Sequence, residues 1–218
     1  TSPKARFPGA THIEFHEERA YEIAKGIVRE AVLNYANRKA ALVNIPRDKT
    51  ECMVGFSVEA IVAALGGTLD PLLGAVKSGA IRGIAGVVGC NNPKVRHDYG
   101  HITLVKELIK NDVLVVNTGC NAIACAKAGL LQPEAAELAG AGLQGVCRAL
   151  GIPPVLHMGS CVDISRILVA CAAIANALGV DISDLPVAGA APEWMSEKAV
   201  SIGAYVVSSG IYTVLGVA

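Results

Sequence analysis

The fold is decided by the stretch IAGVVGC (residues 84–90), an uncharged apolar run that ends in a turn of small residues. Such runs are typical of strands that are covered on both faces of a parallel sheet. Similar runs occupy residues 53–56, 113–117, 155–158 and 185–188. Helical patterns lie between them, at residues 58–65, 101–110, 122–139 with a break near Gln132-Pro133, 165–178 and 196–207. This alternation predicts an α/β fold with a doubly wound, mostly parallel sheet in three layers.

A long helix precedes this alternation. Apolar residues recur at helical spacing between residues 11 and 39, with Glu and Arg on the opposite face. Pro8-Gly9 stands before this helix as a breaker, and the pattern changes after Asn44-Ile45-Pro46. We therefore expect two parts, an N-terminal connecting helix over residues 1–40 and an α/β domain over residues 41–218.

The composition excludes several classes of protein. The 218 residues are 52% hydrophobic with a mean hydropathy of +0.46, which excludes intrinsic disorder. The 19 Lys and Arg residues balance 19 Asp and Glu residues, so the formal net charge is zero. That balance argues against a nucleic-acid-binding domain and against a polybasic membrane-binding patch.

The cysteine count and the chain ends indicate an intracellular origin. Seven cysteines are an odd number, which argues against a disulfide framework. No basic leader precedes an apolar run, so we expect no signal peptide. The sequence starts at Thr1 without Met and stops in an apolar run, so we expect a piece of a longer cytoplasmic polypeptide. The uncharged stretch at residues 199–218 has the length of a membrane span, but its Ser, Thr and Gly residues favour a buried helix that runs into a strand.

Three cysteines follow predicted strands at equivalent positions. Cys90, Cys120 and Cys161 each come after an apolar run and a turn that contains Gly, and each precedes a helical pattern. The carboxyl ends of parallel strands lie along one edge of the sheet, where ligands bind. The three thiols, although far apart in sequence, are therefore expected to meet at that edge.

The chemistry of this predicted cluster suits a soft metal or an iron–sulfur cluster, because thiolates are the ligands that such groups prefer. A helix N-terminus favours the thiolate form of a nearby cysteine. The neighbouring Gly89, Gly119 and Gly159 leave room for a bulky inorganic group. A single buried cysteine is usually a small hydrophobic residue, but three recurrences at strand ends argue against that explanation for this set.

The other cysteines have plainer explanations. Cys125, Cys147 and Cys171 lie within Ala-rich helical runs and are expected to pack in the core. Cys52 opens a predicted strand. Cys120 and Cys125 show the C-x₄-C spacing of a plant-type ferredoxin, but the third Cys of that pattern is missing.

Two further motifs have ordinary explanations. The G-x-G-x-x-G run at residues 140–145 would need a strand directly before it to bind a dinucleotide. A helical run at residues 133–138 precedes it instead, which favours a turn between helices. His12 and His16 could chelate a metal from one helix face, but their acidic neighbours favour a solvated surface. His157, in the strand before Cys161, could orient a ligand.

Lys198 lies in the first turn of a predicted helix after the fifth strand, with Ser196 as the expected N-cap. The helix dipole opposes a cation at this position and makes the ammonium group a better proton donor. This turn belongs to the same predicted sheet edge as the three cysteines, which favours a functional role over a simple surface position.

Four segments, at residues 84–94, 113–129, 157–163 and 191–199, resemble the nickel-dependent, anaerobic carbon monoxide dehydrogenases. The similarity covers nearly the whole chain and implies the C-terminal Rossmann-like domain of that family. Members of the family oxidise CO with water to CO₂, two protons and two electrons at a nickel–iron–sulfur cluster. The resemblance therefore implies an oxidoreductase as the parent protein.

The resemblance also implies a role for each matching residue. Cys90 and Cys120 would hold the iron–sulfur part of the cluster, and Cys161 would bind the nickel. Lys198 would hydrogen-bond the metal-bound carboxylate and help to move protons, and Ile202 would line the CO pocket. The implied partners are the missing domains of the parent chain, a second copy in a homodimer, and a ferredoxin or acetyl-CoA synthase, with no nucleic acid and no membrane.

The family cluster also requires a His and two Cys from a preceding domain, and no motif of this sequence matches them. We therefore expect that this chain alone neither assembles the full cluster nor turns over CO. Three alternatives stay open. They are a hybrid-cluster protein of the hydroxylamine reductase kind, a nucleotide-binding α/β module with structural cysteines, and a scaffold or dimerisation domain.

Overall fold

The computed structural model describes residues 11–216, and the chain divides into two compact units, Thr1–Asp48 and Lys49–Ala218. In its described residues the first unit contains one α-helix, α1 (Ala20–Asn34), with 3₁₀ turns at Glu17–Arg19, Tyr35–Asn37 and Ala40–Leu42. The helix predicted over residues 11–39 is therefore too long, since residues 11–16 have no regular structure. The predicted boundary after residue 40 falls inside this unit.

Five parallel strands form the sheet of the second unit between residues 49 and 216. They are β1 (Gly83–Val87), β2 (Val113–Thr118), β3 (Val155–Gly159), β4 (Val187–Ala191) and β5 (Tyr212–Leu215). Their order in the sheet is β3-β2-β1-β4-β5. In this doubly wound order the chain reverses its direction of travel between β1 and β4. The prediction of a doubly wound parallel α/β sheet is confirmed.

The strand predicted over residues 53–56 is wrong. This segment makes isolated backbone hydrogen bonds, from Met53 to Leu131 at 2.8 Å and from Phe56 to His157 at 3.1 Å, where a strand would make a ladder. Gly55 has a φ of +92°, which breaks an extended run. Phe56 packs against the core, so the apolar pattern of the segment reflects burial and not strand pairing.

Seven helices of the second unit connect or flank these strands in the described residues. They are α2 (Val58–Ala64), α3 (Asp70–Lys77), α4 (Tyr99–Lys110), α5 (Gly119–Lys127), α6 (Ala141–Leu150), α7 (Ile164–Leu178) and α8 (Glu197–Ser208). The break predicted near Gln132-Pro133 within residues 122–139 is present, since α5 ends before Gly129 at a φ of +72° and a 3₁₀ segment then occupies Pro133–Leu138. Helices α3 and α6 were not predicted.

The core lies around the central strands. Val87 of β1 and Val115 of β2 are fully buried, and so are Val105 and Ile109 on the inner face of α4. A smaller cluster under α7 contains Leu168, Cys171, Ala175, Leu185 and Ile211. Both clusters remove aliphatic side chains from water, the main favourable term in folding.

Two segments, residues 199–218 and Cys161–Leu178, are long and apolar enough to be compared with a membrane span. Helix α8 runs into β5 as predicted for residues 199–218, but it is not a buried helix, because Gly203 is its only buried residue. Within the described part of the chain, the segment Cys161–Leu178 is the one helix long and apolar enough to cross a membrane, with a mean hydropathy of 1.7. Length and composition alone do not separate such a span from a helix packed on a sheet, and Ile164 and Leu168 of α7 are buried.

Candidate metal centre

The three cysteine-bearing turns lie side by side at one edge of the sheet. They follow β1, β2 and β3, which are neighbours in the sheet. Each turn contains a glycine with positive φ, Gly89 at +108°, Gly119 at +62° and Gly159 at +140°. Glycine adopts this conformation without the steric cost that other residues meet. The chain therefore turns sharply at the end of each of these strands, and each turn places one cysteine at the carboxyl edge of the sheet.

Two of the three cysteines lie at the start of a helix. Cys120 is the second residue of α5, and Cys161 opens the 3₁₀ turn Cys161–Asp163 that leads directly into α7. Cys90 differs, because residues 88–98 form an irregular loop before α4 begins at Tyr99. Each cysteine precedes a helix, as predicted, but only Cys120 and Cys161 lie at the helix start.

The turn after β2 lies against the thiol of Cys161. A Cβ atom placed on Gly119 would lie 2.5 Å from Cys161 Sγ and 3.7 Å from the carbonyl oxygen of Gly89. A side chain at position 119 would therefore occupy the space of that thiol. Position 119 requires glycine both for its backbone conformation and for access to the sulfur.

A cavity of about 140 Å³ opens beside these turns. Cys90 and Cys161 contribute to its wall, together with Lys198 and Ile202 of α8. Lys198 is exposed, whereas Ile202, one helical turn further along, is half-buried. Cys120 is not among the residues that line this cavity. The structure thus brings four of the five site residues singled out in the sequence to a common wall.

Ser196 connects the start of α8 to Cys90. Its hydroxyl oxygen lies 3.9 Å from Cys90 Sγ. Ser196 is the N-cap residue of α8 as predicted, but its side chain accepts no hydrogen bond from the helix backbone. The hydroxyl is therefore available to the thiol.

A chain of buried polar side chains lies beneath the site, and the sequence reasoning missed it. His101 of α4 contacts the carbonyl oxygen of Cys90 through Nε2 at 2.9 Å. Its Nδ1 lies 3.0 Å from Nδ2 of Asn121, whose Oδ1 accepts a hydrogen bond from Asn117 at 3.0 Å. His101, Asn117 and Asn121 are each fully buried. The signal in the sequence was Asn117, a polar residue inside an otherwise apolar strand.

Glu193 ties the segment after β4 to the start of α4. It is 1% exposed, and its Oε1 accepts hydrogen bonds from the backbone N–H groups of Gly100 at 2.7 Å and His101 at 3.3 Å. These N–H groups belong to the first turn of α4, where a carboxylate is favourable. Its Oε2 accepts a third hydrogen bond, from Asn91 at 3.1 Å. Glu193 therefore holds the Cys90 loop and the approach to α8 together.

An ion pair supports the same loop. Asp98 has a φ of +64°, and its carboxylate is paired with Lys127 and accepts a hydrogen bond from Asn91 at 2.8 Å. Burial alone would raise the pKa of Asp98, but the hydrogen bonds from Lys127 and Asn91 outweigh burial and lower the pKa below its ordinary value. The loop between β1 and α4 is thus anchored to α5.

Three other cysteines pack in the core, as predicted. Cys125, Cys147 and Cys171 are buried. Burial raises the pKa of the Cys125 thiol to about 12 and that of Cys147 to about 11, and it also raises the pKa of Cys171. These thiols stay protonated at neutral pH. Cys52, by contrast, is exposed.

The two remaining motifs do not form sites. Gly140 is the N-cap of α6, so the G-x-G-x-x-G run begins a helix and is not a turn between helices. Oδ1 of Asp112 accepts a hydrogen bond from Leu143 N at 2.9 Å and fills the place where a phosphate would lie. His12 and His16 share no helix face, because helical structure begins only at Glu17. His157 lies in β3 opposite Asn117, and its role as an orienting residue stays a prediction.

Among residues 11–216, no three His, Cys, Asp or Glu side chains come close enough together to hold a single metal ion. Ligands of different metal atoms in one cluster lie further apart than ligands of one ion. The half-buried Cys90 and Cys120 and the exposed Cys161 are soft donors at one sheet edge. With the space left by Gly119, this donor set fits a multi-metal cluster better than a single ion.

A family model and the similar proteins found by comparison agree with each other. A family model described as the Prismane/CO dehydrogenase family matches residues 1–218. Carbon monoxide dehydrogenase 1 of Methanosarcina mazei is 74% identical over 216 residues, which are 99% of this chain and 34% of that protein.

Solved structures agree with this match. The as-isolated, nickel-free carbon monoxide dehydrogenase from Thermococcus sp. AM4, produced without the CooC maturase, is 66% identical, with a TM-score of 0.92 over 100% of this chain and 34% of that one. An acetyl-CoA synthase/carbon monoxide dehydrogenase, described with NiZn[Fe4S4] and NiNi[Fe4S4] clusters in its alpha subunits, is 41% identical, with a TM-score of 0.86 over 97% of this chain and 34% of that one. The chain spans about a third of the length of these relatives.

Proposed function

The chain belongs to the Prismane/CO dehydrogenase family, and from this premise we propose that it is the part of a carbon monoxide dehydrogenase that supplies Cys90, Cys120 and Cys161 to a nickel–iron–sulfur cluster. The whole enzyme would oxidise CO with water to CO₂, two protons and two electrons. The observation that carries the proposal is the single cavity whose wall contains Cys90, Cys161, Lys198 and Ile202.

In this proposal the three thiols bind different parts of the cluster. Cys90 and Cys120 would hold the iron–sulfur portion, and Cys161 would hold the nickel. Thiolates suit both metals, and the bare Gly119 turn leaves the Cys161 sulfur accessible. When bound, the cluster would supply open coordination positions for CO and water and would accept the two electrons.

Lys198 supplies the cationic group of the proposed site. It lies in the first turn of α8, on the cavity wall that also contains Cys161. An ammonium group there can donate a hydrogen bond to negative charge that develops on a substrate oxygen, and it can pass on a proton. Ile202, one turn further along α8, would present an apolar surface that keeps water from the reacting carbon.

Anaerobic reconstitution with nickel, iron and sulfide tests the proposal. We expect the chain to retain iron and sulfide, and we expect Cys90→Ala, Cys120→Ala and Cys161→Ala each to lower the retained amounts. Cys52→Ala is the matched control, because Cys52 is an exposed thiol outside the cavity wall. If the three site variants retained as much iron as Cys52→Ala, the proposed ligation would be wrong.

Turnover is a separate expectation. The chain spans about a third of its relatives, so we expect cluster components to bind without sustained CO-dependent reduction of a viologen dye. Sustained dye reduction by this chain would show that the expectation of inactivity is wrong, and it would leave the ligand assignment standing.

Specific observations or experiments distinguish this proposal from each of the three alternative functions. A hybrid-cluster protein shares the family, but the relatives compared above are carbon monoxide dehydrogenases. A nucleotide-binding module is disfavoured because Asp112 already occupies the N-terminus of α6. A scaffold domain without its own chemistry would be indifferent to all three Cys→Ala changes.

The cellular environment that we propose follows from the chemistry of the cysteines and of the cluster. A thiolate-bound iron–sulfur cluster and seven unpaired cysteines suit an anaerobic, cytoplasmic environment, where thiols stay reduced. The proposed partners are the remaining domains of the enzyme, a second copy in a homodimer, and a ferredoxin or acetyl-CoA synthase. The structural relative named as acetyl-CoA synthase/carbon monoxide dehydrogenase supports the last of these.

A further inference from the structure

His101 joins two of the cysteine-bearing segments from beneath. It projects from the first turn of α4 and is 0% exposed. One ring nitrogen, Nε2, lies 2.9 Å from the carbonyl oxygen of Cys90. The other, Nδ1, lies 3.0 Å from Nδ2 of Asn121, the residue that follows Cys120 in α5. A single imidazole thus bridges the Cys90 backbone and the helix that begins at Cys120.

The two contacts determine where the ring proton lies. A carbonyl oxygen only accepts hydrogen bonds, so Nε2 of His101 must carry the proton that it donates to Cys90. The amide nitrogen of Asn121 only donates, so Nδ1 must be the acceptor. His101 is therefore the neutral Nε2–H tautomer, and both of its nitrogens are satisfied.

The bridge is anchored at both ends. Oδ1 of Asn121 accepts hydrogen bonds from Asn117 at 3.0 Å and from the Cys125 thiol at 3.5 Å, which holds its amide in one orientation. On the other side, the Glu193 carboxylate receives the backbone N–H of His101 at 3.3 Å. The bridge is therefore held from both sides, while Oδ1 of Asn117, at the outer end of the network, has no hydrogen-bond partner among the described residues.

We propose that His101 is a positioning residue, a clamp that sets the Cys90 turn relative to the start of α5 and so sets the spacing of two cluster ligands. The clamp rests on the proposed function only for the identity of Cys90 and Cys120 as ligands. The hydrogen bonds that form it stand without any metal.

Two variants of His101 cut the clamp at opposite ends. In His101→Gln, the side-chain N–H can still reach the Cys90 carbonyl, but the acceptor for Asn121 is lost. In His101→Asn, the shorter amide can still accept from Asn121, but the donor to Cys90 is lost. Val105→Ala is the matched control, because Val105 is one turn further along α4, is fully buried and has a side chain that forms no hydrogen bond of the clamp.

The readout is site-resolved alkylation of the metal-free chain, measured by mass spectrometry as the rate at Cys90. The rate at Cys147, which is fully buried, is recorded separately and reports global unfolding. We expect His101→Asn to raise the Cys90 rate about fivefold, the effect of one lost net hydrogen bond. His101→Gln should restore that rate close to the wild-type value. Val105→Ala should leave the Cys90 rate unchanged and raise the Cys147 rate, because it lowers only the global stability. Imidazole ¹⁵N–¹H spectra should place the His101 proton on Nε2.

Two results would overturn the clamp. One is an equal rise of the Cys90 alkylation rate in His101→Asn and Val105→Ala, and the other is a proton found on Nδ1. Iron and sulfide retention, measured on the same samples, tests the proposed function separately. If the wild-type chain retains no iron but the variants show the expected Cys90 rates, the ligand assignment is contradicted and the clamp is supported. If the wild-type chain retains iron but His101→Asn leaves the Cys90 rate unchanged, the clamp is contradicted and the ligand assignment is supported.

Discussion

Gly119 and Cys161 are complementary in shape: a Cβ atom on the glycine would lie 2.5 Å from the sulfur of the cysteine. The two residues belong to turns after neighbouring strands, β2 and β3. The missing side chain at one turn is therefore what makes room for the thiol of the next. This relationship leads to the most direct test of the site.

Gly119→Ala should damage the site more than the fold. The left-handed backbone at a φ of +62° makes alanine cost about 1–2 kcal/mol of folding free energy. The thiol of Cys161 can rotate away from the new methyl group, so the larger effect should be loss of the metal that Cys161 retains after reconstitution. Urea denaturation and nickel analysis measure the two effects.

Gly129→Ala is the control for that substitution. Gly129 has a φ of +72° with no atom within 4 Å of a Cβ placed there, so it has the same backbone cost without the contact. We expect equal stability losses in the two variants and normal metal retention in Gly129→Ala alone. Equal metal retention in both would show that the Cys161 sulfur takes no part in binding.

Glu193→Gln should destabilise the chain by about 2 kcal/mol, because a buried carboxylate that accepts charge-assisted hydrogen bonds is replaced by a neutral amide. The amide N–H₂ would also face the donor group of Asn91. Guanidinium denaturation measures the loss. Glu197→Gln, at an exposed position in the first turn of α8, should cost less than about 1 kcal/mol. Similar losses in both variants would argue against a special role for Glu193.

The Asp98–Lys127 ion pair predicts acid sensitivity. The pKa of Asp98 is lowered in the folded state, so the contribution of the pair is complete above the ordinary pKa of 3.8 and is lost as the pH falls through the lower folded-state value. Lys127→Met should cost about 1 kcal/mol at neutral pH, and its difference from wild type should shrink in strong acid. Denaturation curves across this pH range measure it. Lys110→Met removes an exposed lysine 4.0 Å from Glu107 and should show no such trend.

The seven thiols should react with iodoacetamide at very different rates. The pKa of Cys125 is raised from 9.0 to about 12, which lowers its thiolate fraction about a thousandfold. The exposed Cys52 and Cys161 should be alkylated first, with Cys125 and Cys147 protected until the chain unfolds. Mass spectrometry of timed samples measures the order. Rapid labelling of Cys125 in a chain with an intact circular dichroism spectrum would contradict the buried placement.

Much of the fold was predictable because burial leaves a local pattern. Four of the five strands predicted from uncharged apolar runs are present, and residues 53–56 failed because an apolar segment packed over a core looks the same as a short strand. Helix α6 was not predicted because the Gly-rich sequence at its start is typical of a turn. Two of them are needed there for close contact, Gly140 beside the Asp112 carboxylate and Gly142 beside the Ala80 carbonyl.

The sequence by itself determined that three cysteines end at the same edge of a parallel sheet, because strand, turn and helix signals are all local. Only the tertiary structure decided which groups support them. His101 carried no signal in the sequence, yet it bridges the Cys90 carbonyl and Asn121, and Glu193 reaches α4 from beyond β4. Such hydrogen bonds depend on which strands are neighbours and on how far each loop reaches. Both are properties of the packed sheet and not of any one segment of the chain.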